Sequence, residues 1–267
     1  MILPFNLFPN MKNLEKIKGN TNRYVLPTPN HLREPLSELN FHQLYSYPVA
    51  PELPKSDDKF IFLDSGAFGL DQFKCEISLD YMKGLSAHYE LYKRDNVFCV
   101  APDSFLNPNR TIQNIKRWVD NGLYADINVV FQFPIKYRFD VESIEYLLDE
   151  YAKIPHSKDV AFIANPRLDG AAAEANYDNI NRVCELIREN GYQWIHMLGA
   201  GWDVNCITKW AKHFIGSVID SMDSVAYYKP KTHWNYNRLS CHENAKINNA
   251  FVAQKIINDY AVFQNTI

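Results

Sequence analysis

Short apolar runs that end in a polar residue and lead into a helical pattern recur along most of this chain. Six such units follow one another from residue 59 onward. Their apolar runs lie at 60–63, 96–101, 127–131, 159–164, 193–198 and 216–219. A short, continuous apolar run is typical of a strand buried on both faces, as in a parallel sheet. The alternation with helices therefore predicts an α/β fold.

Chain length and the number of units decide between two α/β architectures. The 267 residues fit one domain, because α/β barrels often reach this length. Two weaker elements, at 23–27 and 41–47, precede the regular units, and the second reads as helix or strand. We expect a (β/α)8 TIM-like barrel, with room for imperfect N-terminal units, rather than a doubly wound sheet. No G-x-G-x-x-G motif follows any of the predicted strands.

The expected domain organisation is a single barrel domain over residues 1–267. Its first part, 1–58, is rich in proline and irregular, and regular units with a closing C-terminal helix occupy 59–267. The net charge of −3 gives no global positive field, so any nucleic-acid contact has to be a local patch. Scattered cysteines without a C-x-x-C pair indicate reduced thiols. We expect a cytoplasmic protein without a membrane partner, since no apolar run approaches about 18 residues.

Polar residues collect where the predicted strands end, and in a barrel those ends share one mouth. They are Asp64, Asp103, Gln132, Asn165, the turn 199–201, Asp220 and Asp223. Carboxylates and amides suit the edge of a heterocyclic base, which presents N–H donors beside a carbonyl. The same carboxylates would also suit a hard cation such as Mg²⁺ or the acid–base chemistry of a glycoside hydrolase. Each residue alone is better explained as a cap or a turn, so the prediction depends on the repetition at six strand ends.

Five of these strand ends carry motifs that occur in order between residues 60 and 228. They are Asp64-Ser65-Gly66-Ala67-Phe68, Val100-Ala101-Pro102-Asp103, Phe131-Gln132, His196-Met197-Leu198-Gly199-Ala200-Gly201 and Asp220-Ser221-Met222-Asp223-Ser224. Their order and approximate spacing resemble those of the tRNA-guanine transglycosylases and their DNA-modifying paralogues. The first motif is similar to the family's D-S-G-G-[FY], with Ala67 in place of the second glycine.

The resemblance implies a pentosyltransferase that exchanges a base through a covalent aspartyl–sugar intermediate, without a cofactor. Asp223 would attack C1′ of a guanosine, and Asp64 would act as the general acid and base. A carboxylate is ionised at neutral pH and can serve as a nucleophile. The residues implied for the free base, a 7-deazaguanine, are Asp103 and Gln132 at its edge, Phe68 with Leu198 or Met197 on its faces, and the Gly199 turn. Asn165 is grouped with this base-binding set by its strand-end position.

One departure from the family bears on the polymer that is modified. The family's tRNA enzymes carry a C-x-C-x-x-C…H zinc site after the nucleophile, whereas only Cys241 and His242 follow Asp223 here. That zinc site cannot be built, so we expect no bound metal and favour DNA over tRNA. The DNA-modifying branch inserts 7-deazaguanines into phage or bacterial DNA, which for a phage protein means the host cytoplasm. The sequence does not decide whether the protein forms a homodimer or requires a partner protein.

Three other functions remain compatible with the sequence. They are the same exchange on tRNA, a carboxylate-dependent barrel hydrolase acting on glycosides, and a non-catalytic nucleic-acid-binding subunit. Retention of both Asp64 and Asp223 argues against the last of these.

The segment 227–238 is the predicted nucleic-acid-binding patch. It combines three cations, Lys229, Lys231 and Arg238, with aromatic residues that include Trp234. Cations contact phosphates and aromatic rings stack on bases, so the composition suits a nucleic acid. The alternative is an ordinary solvated loop whose aromatic residues belong to the core.

Overall fold

The computed structural model describes eight strands and four helices in the parts of the chain that it covers. Those parts are residues 24–27, 42–48, 61–67, 70, 76–104, 107–124, 128–134, 141–164, 177–199, 213–214 and 217–223. The strands are β1 (Tyr24–Pro27), β2 (His42–Ser46), β3 (Ile61–Asp64), β4 (Val97–Val100), β5 (Asn128–Pro134), β6 (Val160–Ala164), β7 (Trp194–Leu198) and β8 (Ser221–Asp223). The helices are α1 (Leu79–Leu91), α2 (Pro108–Asp120), α3 (Val141–Tyr151) and α4 (Tyr177–Glu189).

The strands form a curled parallel sheet in which each strand pairs with the next one along the chain. β8 also pairs in parallel with β1, through Tyr24 with Met222 and Val25 with Asp223. The four helices follow β3, β4, β5 and β6. This alternation confirms the predicted α/β fold with a parallel sheet, and the general architecture is TIM-like. None of the helices in the described ranges has both the length and the apolar character needed to cross a membrane.

The N-terminal segment supplies two strands of this sheet. The element at 41–47, which the sequence leaves as helix or strand, is β2. Its residues Leu44 and Tyr45 are buried, and Ser46 pairs in register with Asp64 of β3. The expectation of an irregular segment 1–58 is therefore wrong for these two stretches, which are strands of the sheet.

Alternation along each strand divides the buried residues between two faces of the sheet. Ile61 and Leu63 of β3 belong to a large cluster that also contains residues of all four helices. Phe62, between them, belongs to a second cluster built only from strand residues. The first cluster is the layer between sheet and helices, and the second is the inner face. Because the side-chain period is two, Asp64 follows Phe62 onto the inner face.

Two helix starts follow the sequence signals. The side chain of Ser78 caps α1 by accepting a hydrogen bond from the Tyr81 N–H at 3.1 Å. Asn107 caps α2 in the same way, with Arg110 as donor at 3.1 Å, and Pro108 is the first helical residue. Serine and asparagine are favoured N-caps, and the sequence pattern predicts helix starts at both positions, which the structure confirms. The pattern also predicts that the first of these helices continues to about Arg94, whereas α1 ends at Leu91.

Two strand boundaries differ from the sequence prediction. The last predicted strand, 216–219, is displaced, because β8 spans Ser221–Asp223. The apolar run misplaces it because the inner-face residues of the real strand are polar and make hydrogen bonds inside the sheet. β5 continues to Pro134 instead of ending at 131, so Gln132 lies within the strand.

Candidate active site at the strand ends

Four of the predicted site residues with polar side chains lie at the carboxyl ends of described strands. Asp64 ends β3, Asp103 follows β4, Gln132 lies near the end of β5, and Asp223 ends β8. Asp103, Gln132 and Asp223 are 3, 4 and 6% exposed, so burial leaves these polar side chains dependent on protein or ligand partners. The parallel sheet brings together side chains that are far apart in the sequence.

The carboxylate of Asp223 is held through one of its two oxygens. Oδ1 lies 3.0 Å from Nε2 of His196 and accepts a hydrogen bond from the Gly199 N–H at 3.1 Å. Gly199 follows β7 with a φ of +64°, a left-handed conformation that favours glycine. Within the described ranges, no hydrogen bond is found for Oδ2 of Asp223. This oxygen is therefore the atom that can face a substrate.

Asp64 has a different environment. Its Oδ2 accepts hydrogen bonds from Ser46 Oγ at 3.0 Å and from the Gly66 N–H at 3.3 Å. Burial raises the pKa of Asp64, and the negative charge of Asp223 raises that pKa further, against the lowering effect of the two hydrogen bonds. Asp64 is thus the carboxyl group suited to hold and release a proton, close enough to Asp223 to sense its charge.

The turn after Asp64 is fixed by close backbone packing. Gly66 has a φ of +74°, and a Cβ there would lie 2.8 Å from both Tyr47 O and the Tyr81 hydroxyl. The Tyr81 hydroxyl donates to Ser65 O at 2.9 Å, and the Ala67 N–H donates to Ser65 Oγ at 3.2 Å. Position 66 therefore requires glycine, and the turn holds Asp64 and Ser65 in place.

Ser65 connects this turn to Asp103, the acidic residue that follows β4. Its hydroxyl donates a hydrogen bond to the Asp103 carboxylate. The segment after Asp103 is held by α2, because the Ser104 N–H donates to Thr111 Oγ1 at 2.9 Å. Asp103 is therefore positioned from two directions, and the Ser65 contact is one that the sequence analysis did not foresee.

Gln132 brings an unpaired acceptor to the site. Its Oε1 is buried and has no hydrogen-bond partner in the described part of the chain. The backbone carbonyl of the same residue accepts from the Tyr151 hydroxyl at 2.5 Å, which fixes the strand at this point. A buried amide oxygen without a partner costs free energy, so it points to a ligand that donates an N–H or O–H group.

Two buried tyrosines of the helices bind the carbonyls of the strand ends. The Tyr89 hydroxyl of α1 donates to Val100 O at 2.7 Å and lies 3.3 Å from Leu63 O. Tyr151 of α3 makes the Gln132 contact already described. Sequence reasoning assigned no role to these tyrosines, although their place among the buried positions of amphipathic helices could have marked them.

The remaining site predictions fall into two groups. Met197 lies in the layer between sheet and helices, whereas Leu198 packs partly buried against the inner-face cluster. The base-stacking role implied for one of these two therefore fits Leu198 better. Outside the described residues lie Phe68, Asn165, Lys229, Lys231, Trp234, Arg238, Cys241 and His242.

Asp220, expected at the mouth, precedes β8 and has a structural role. Its carboxylate forms an ion pair with Arg188 of α4 and accepts a hydrogen bond from the Ile195 N–H at 2.7 Å. Among the described residues, no group of three or more His, Cys, Asp or Glu side chains is arranged to hold a metal ion.

Comparison with known proteins does not identify a family. No family model matches the chain, and no curated protein matches it. Among solved structures, a protein of Aquifex aeolicus VF5 is similar, with 8% sequence identity, a TM-score of 0.43, and coverage of 93% of this chain and 97% of that one. Similarity at this level does not transfer a function.

Proposed function

We propose that this protein is a transglycosylase that replaces guanine by a 7-deazaguanine derivative in DNA through a covalent aspartyl–sugar intermediate. The observation that carries the proposal is the pair formed by Asp64 and Asp223, two strand-end carboxyl groups in contrasting environments. The proposal includes a complete (β/α)8 barrel as the architecture, with the active site at the mouth of that barrel.

The proposed first step uses both carboxyl groups. Oδ2 of Asp223 attacks C1′ of the target nucleotide, and the bond between C1′ and N9 of guanine breaks. The electron pair of that bond stays on the base, which takes a proton from Asp64. The pKa of Asp64 is raised by burial and by Asp223, which favours the protonated form that this step needs.

The second step reverses the first with a new base. The incoming 7-deazaguanine gives its N9 proton to Asp64 and attacks C1′, and the ester between the sugar and Asp223 breaks. The carboxylate of Asp223 and the proton of Asp64 are both restored. One glycosidic bond is exchanged for another, so the reaction needs no external oxidant, nucleotide or metal.

The polar residues beside the pair fit the edge of a guanine. The Asp103 carboxylate, oriented by Ser65, would accept the N1–H and the exocyclic amino group. Gln132 offers a buried amide whose oxygen has no partner in the described ranges, and its amide group can exchange hydrogen bonds with the base. Sugar hydroxyl groups could also donate to these acceptors, so a glycoside hydrolase is the second candidate function, and the base-exchange proposal takes its base specificity from the motif resemblance.

DNA as the polymer rests on the sequence. The chain has too few cysteines after Asp223 for the zinc site of the tRNA enzymes, and Lys229, Lys231, Trp234 and Arg238 supply a local patch for phosphates and bases. A base stacked in a duplex cannot reach strand-end residues, so the target nucleotide has to flip out, at a cost of a few kcal/mol.

A label-exchange experiment tests the proposal. Purified protein is incubated with labelled guanine and either duplex DNA or tRNA, and the label in the polymer is counted. We expect label in DNA. The matched control is Asp223→Asn, which keeps an oxygen for His196 and Gly199 but removes the nucleophile. Label in tRNA alone would reassign the polymer, and label in neither would overturn base exchange.

A further inference from the structure

A chain of buried polar side chains runs along the inner face of the sheet beneath Asp223. The Trp194 Nε1–H donates to Ser221 Oγ at 2.8 Å, and Ser221 Oγ lies 2.8 Å from Nδ1 of His196. Nε2 of His196 lies 3.0 Å from Oδ1 of Asp223. All four residues are buried, and none of the first three belongs to the set predicted to touch the base.

The two ends of the chain, an indole that can only donate and a carboxylate that can only accept, together set its direction for a neutral imidazole. An indole N–H can only donate, so Ser221 Oγ is the acceptor of that bond. The hydrogen of the Ser221 hydroxyl is then available for Nδ1 of His196, which accepts it. A neutral imidazole that accepts at Nδ1 carries its proton on Nε2, where it meets a carboxylate oxygen that can only accept.

Aromatic packing holds the imidazole in this orientation. The ring of Phe62 is stacked on His196 with centroids 5.4 Å apart and an interplanar angle of 29°. Phe162 contacts the same ring with a centroid distance of 4.8 Å. Rotation of the ring would break two hydrogen bonds and displace both phenylalanines, so the hydrogen bonds and the packing favour one geometry.

We propose that His196 is a positioning residue that holds the nucleophile, with Ser221 and Trp194 fixing its tautomer. The Nε2–H of His196 and the Gly199 N–H both bind Oδ1 of Asp223, which directs Oδ2 towards the reacting sugar. The inference rests on the proposed function in taking Asp223 as the nucleophile. It goes beyond that function in assigning a role to three residues that touch neither base nor sugar.

The same donors act in both halves of the exchange. When Oδ2 bonds to C1′, Oδ1 becomes the carbonyl oxygen of an ester and still accepts from His196 and Gly199. When the ester breaks, negative charge returns to the carboxylate, and hydrogen bonds to a charged acceptor are stronger than those to a neutral one. The donors therefore favour release of the sugar to the incoming base, and no proton moves along the chain.

The first test observes the tautomer directly. The full chain, which has eight histidines, is labelled with ¹⁵N in the imidazole rings and studied by long-range ¹H–¹⁵N correlation spectra. The His196 signals are assigned by their loss in His196→Gln. We expect a neutral ring with the proton on Nε2. A proton on Nδ1, or on both nitrogens at neutral pH, would overturn the directed chain whether or not the protein exchanges bases.

The second test separates positioning from packing. His196→Leu removes the donor, whereas His196→Gln replaces it with an amide N–H. We expect His196→Leu to lower kcat roughly 100-fold, the effect of a misplaced reacting group, with KM for the free base unchanged. His196→Gln should recover a clear part of that loss. Equal activity of the two variants would show that the donor is unimportant and would overturn the proposal.

Two further variants keep the second test decisive if His196→Leu fails to fold. Val130→Ala changes a buried inner-face side chain of β5 that makes none of the hydrogen bonds in the chain, and it should keep the wild-type kcat. Ser221→Ala removes the partner of Nδ1 with the smallest change in volume, and it should lower kcat without changing KM. An unchanged kcat in Ser221→Ala would overturn the role of Ser221. Inactive wild-type protein would instead refute the proposed function and leave the tautomer result standing.

Discussion

Asp220 and Asp223 are three residues apart in the sequence but serve opposite ends of β8. Asp220 lies before the strand, where it binds Arg188 and the Ile195 N–H. Asp223 is the last residue of the strand and binds His196 and the Gly199 N–H. One carboxylate therefore joins the sheet to α4, and the other stands at the candidate site.

This difference predicts separable effects of the two corresponding substitutions. Asp223→Asn should lower base exchange roughly 10⁴-fold or more, because it removes the proposed nucleophile while the side-chain volume is kept. Asp220→Asn should keep the exchange rate but destabilise the fold by roughly 1–3 kcal/mol, because it weakens the Arg188 ion pair. Label exchange and urea unfolding measure the two effects. Loss of exchange in a folded Asp220→Asn variant would move the nucleophile to residue 220.

Asp64→Asn is expected to raise stability at neutral pH while abolishing exchange. The pKa of Asp64 is raised in the folded protein, so the folded state retains a proton over a range in which the unfolded chain has already lost it. Unfolding free energy therefore falls as the pH rises above about 3.8, the ordinary value, towards the raised folded value. Asparagine cannot ionise, so the Asp64→Asn variant does not lose stability over this pH range.

Urea unfolding at pH 4 and pH 7 tests this dependence. The advantage of Asp64→Asn over the wild type should be larger at pH 7 than at pH 4. Asp149→Asn is the matched control, since it makes the same chemical change on an exposed position of α3 and should show no such difference. An equal advantage at both pH values would mean that ionised Asp64 carries no cost in the folded state.

The sequence predicted those features that depend on local patterns. Apolar runs located most strands, and the Ser78 and Asn107 signals located two helix starts, because a strand period or a cap is set within a few residues. β8 was misplaced because its inner-face residues, Ser221 and Asp223, are polar and stabilised by His196 on a neighbouring strand.

The sequence pattern did not predict contacts between residues on different strands of the sheet. The Ser65 hydrogen bond to Asp103 joins residues that are 38 positions apart, and the Ser221 contact with His196 joins residues that are 25 apart. Whether Met197 or Leu198 faces the inner side depended on the strand register, because a shift of one residue reverses the two faces.

The patch at 227–238 lies outside the described residues, so its prediction comes from the sequence alone. Lys229→Ala combined with Lys231→Ala should weaken DNA binding and flatten its salt dependence by roughly one unit of slope per lost phosphate contact. The free base should bind as before. Titration of DNA at several salt concentrations and calorimetry with 7-deazaguanine measure the two quantities.

A matched double variant controls for the lost charge. Lys83→Ala with Lys93→Ala also removes two positive charges, from exposed positions elsewhere on the protein. Lys83 lies in α1 and pairs with Asp80, and Lys93 follows α1 and pairs with Glu90. It should leave the salt slope unchanged. If both double variants flatten the slope equally, the effect is one of total charge, and the segment 227–238 is not part of the DNA-binding surface.

The unpaired oxygen of Gln132 predicts opposite effects on stability and on base binding. Gln132→Met keeps the side-chain length and removes a buried acceptor that has no partner in the described ranges, so the free protein should be as stable or more stable, by up to about 1 kcal/mol. The affinity for free 7-deazaguanine should fall, by roughly 1–3 kcal/mol, because the base loses a hydrogen-bonding group.

Asn128, at the other end of β5, provides the control for this last prediction. Its Nδ2 approaches the carbonyls of Arg94, Asp95 and Val97 at 3.1–3.3 Å, so its hydrogen-bonding capacity is used inside the protein. Asn128→Leu should therefore lower the free energy of unfolding and leave base binding unchanged, the reverse of the Gln132→Met pattern. Urea unfolding and calorimetry on both variants measure the contrast. If Gln132→Met also destabilises the free protein and binds the base normally, the amide serves the fold and is not a contact for the base.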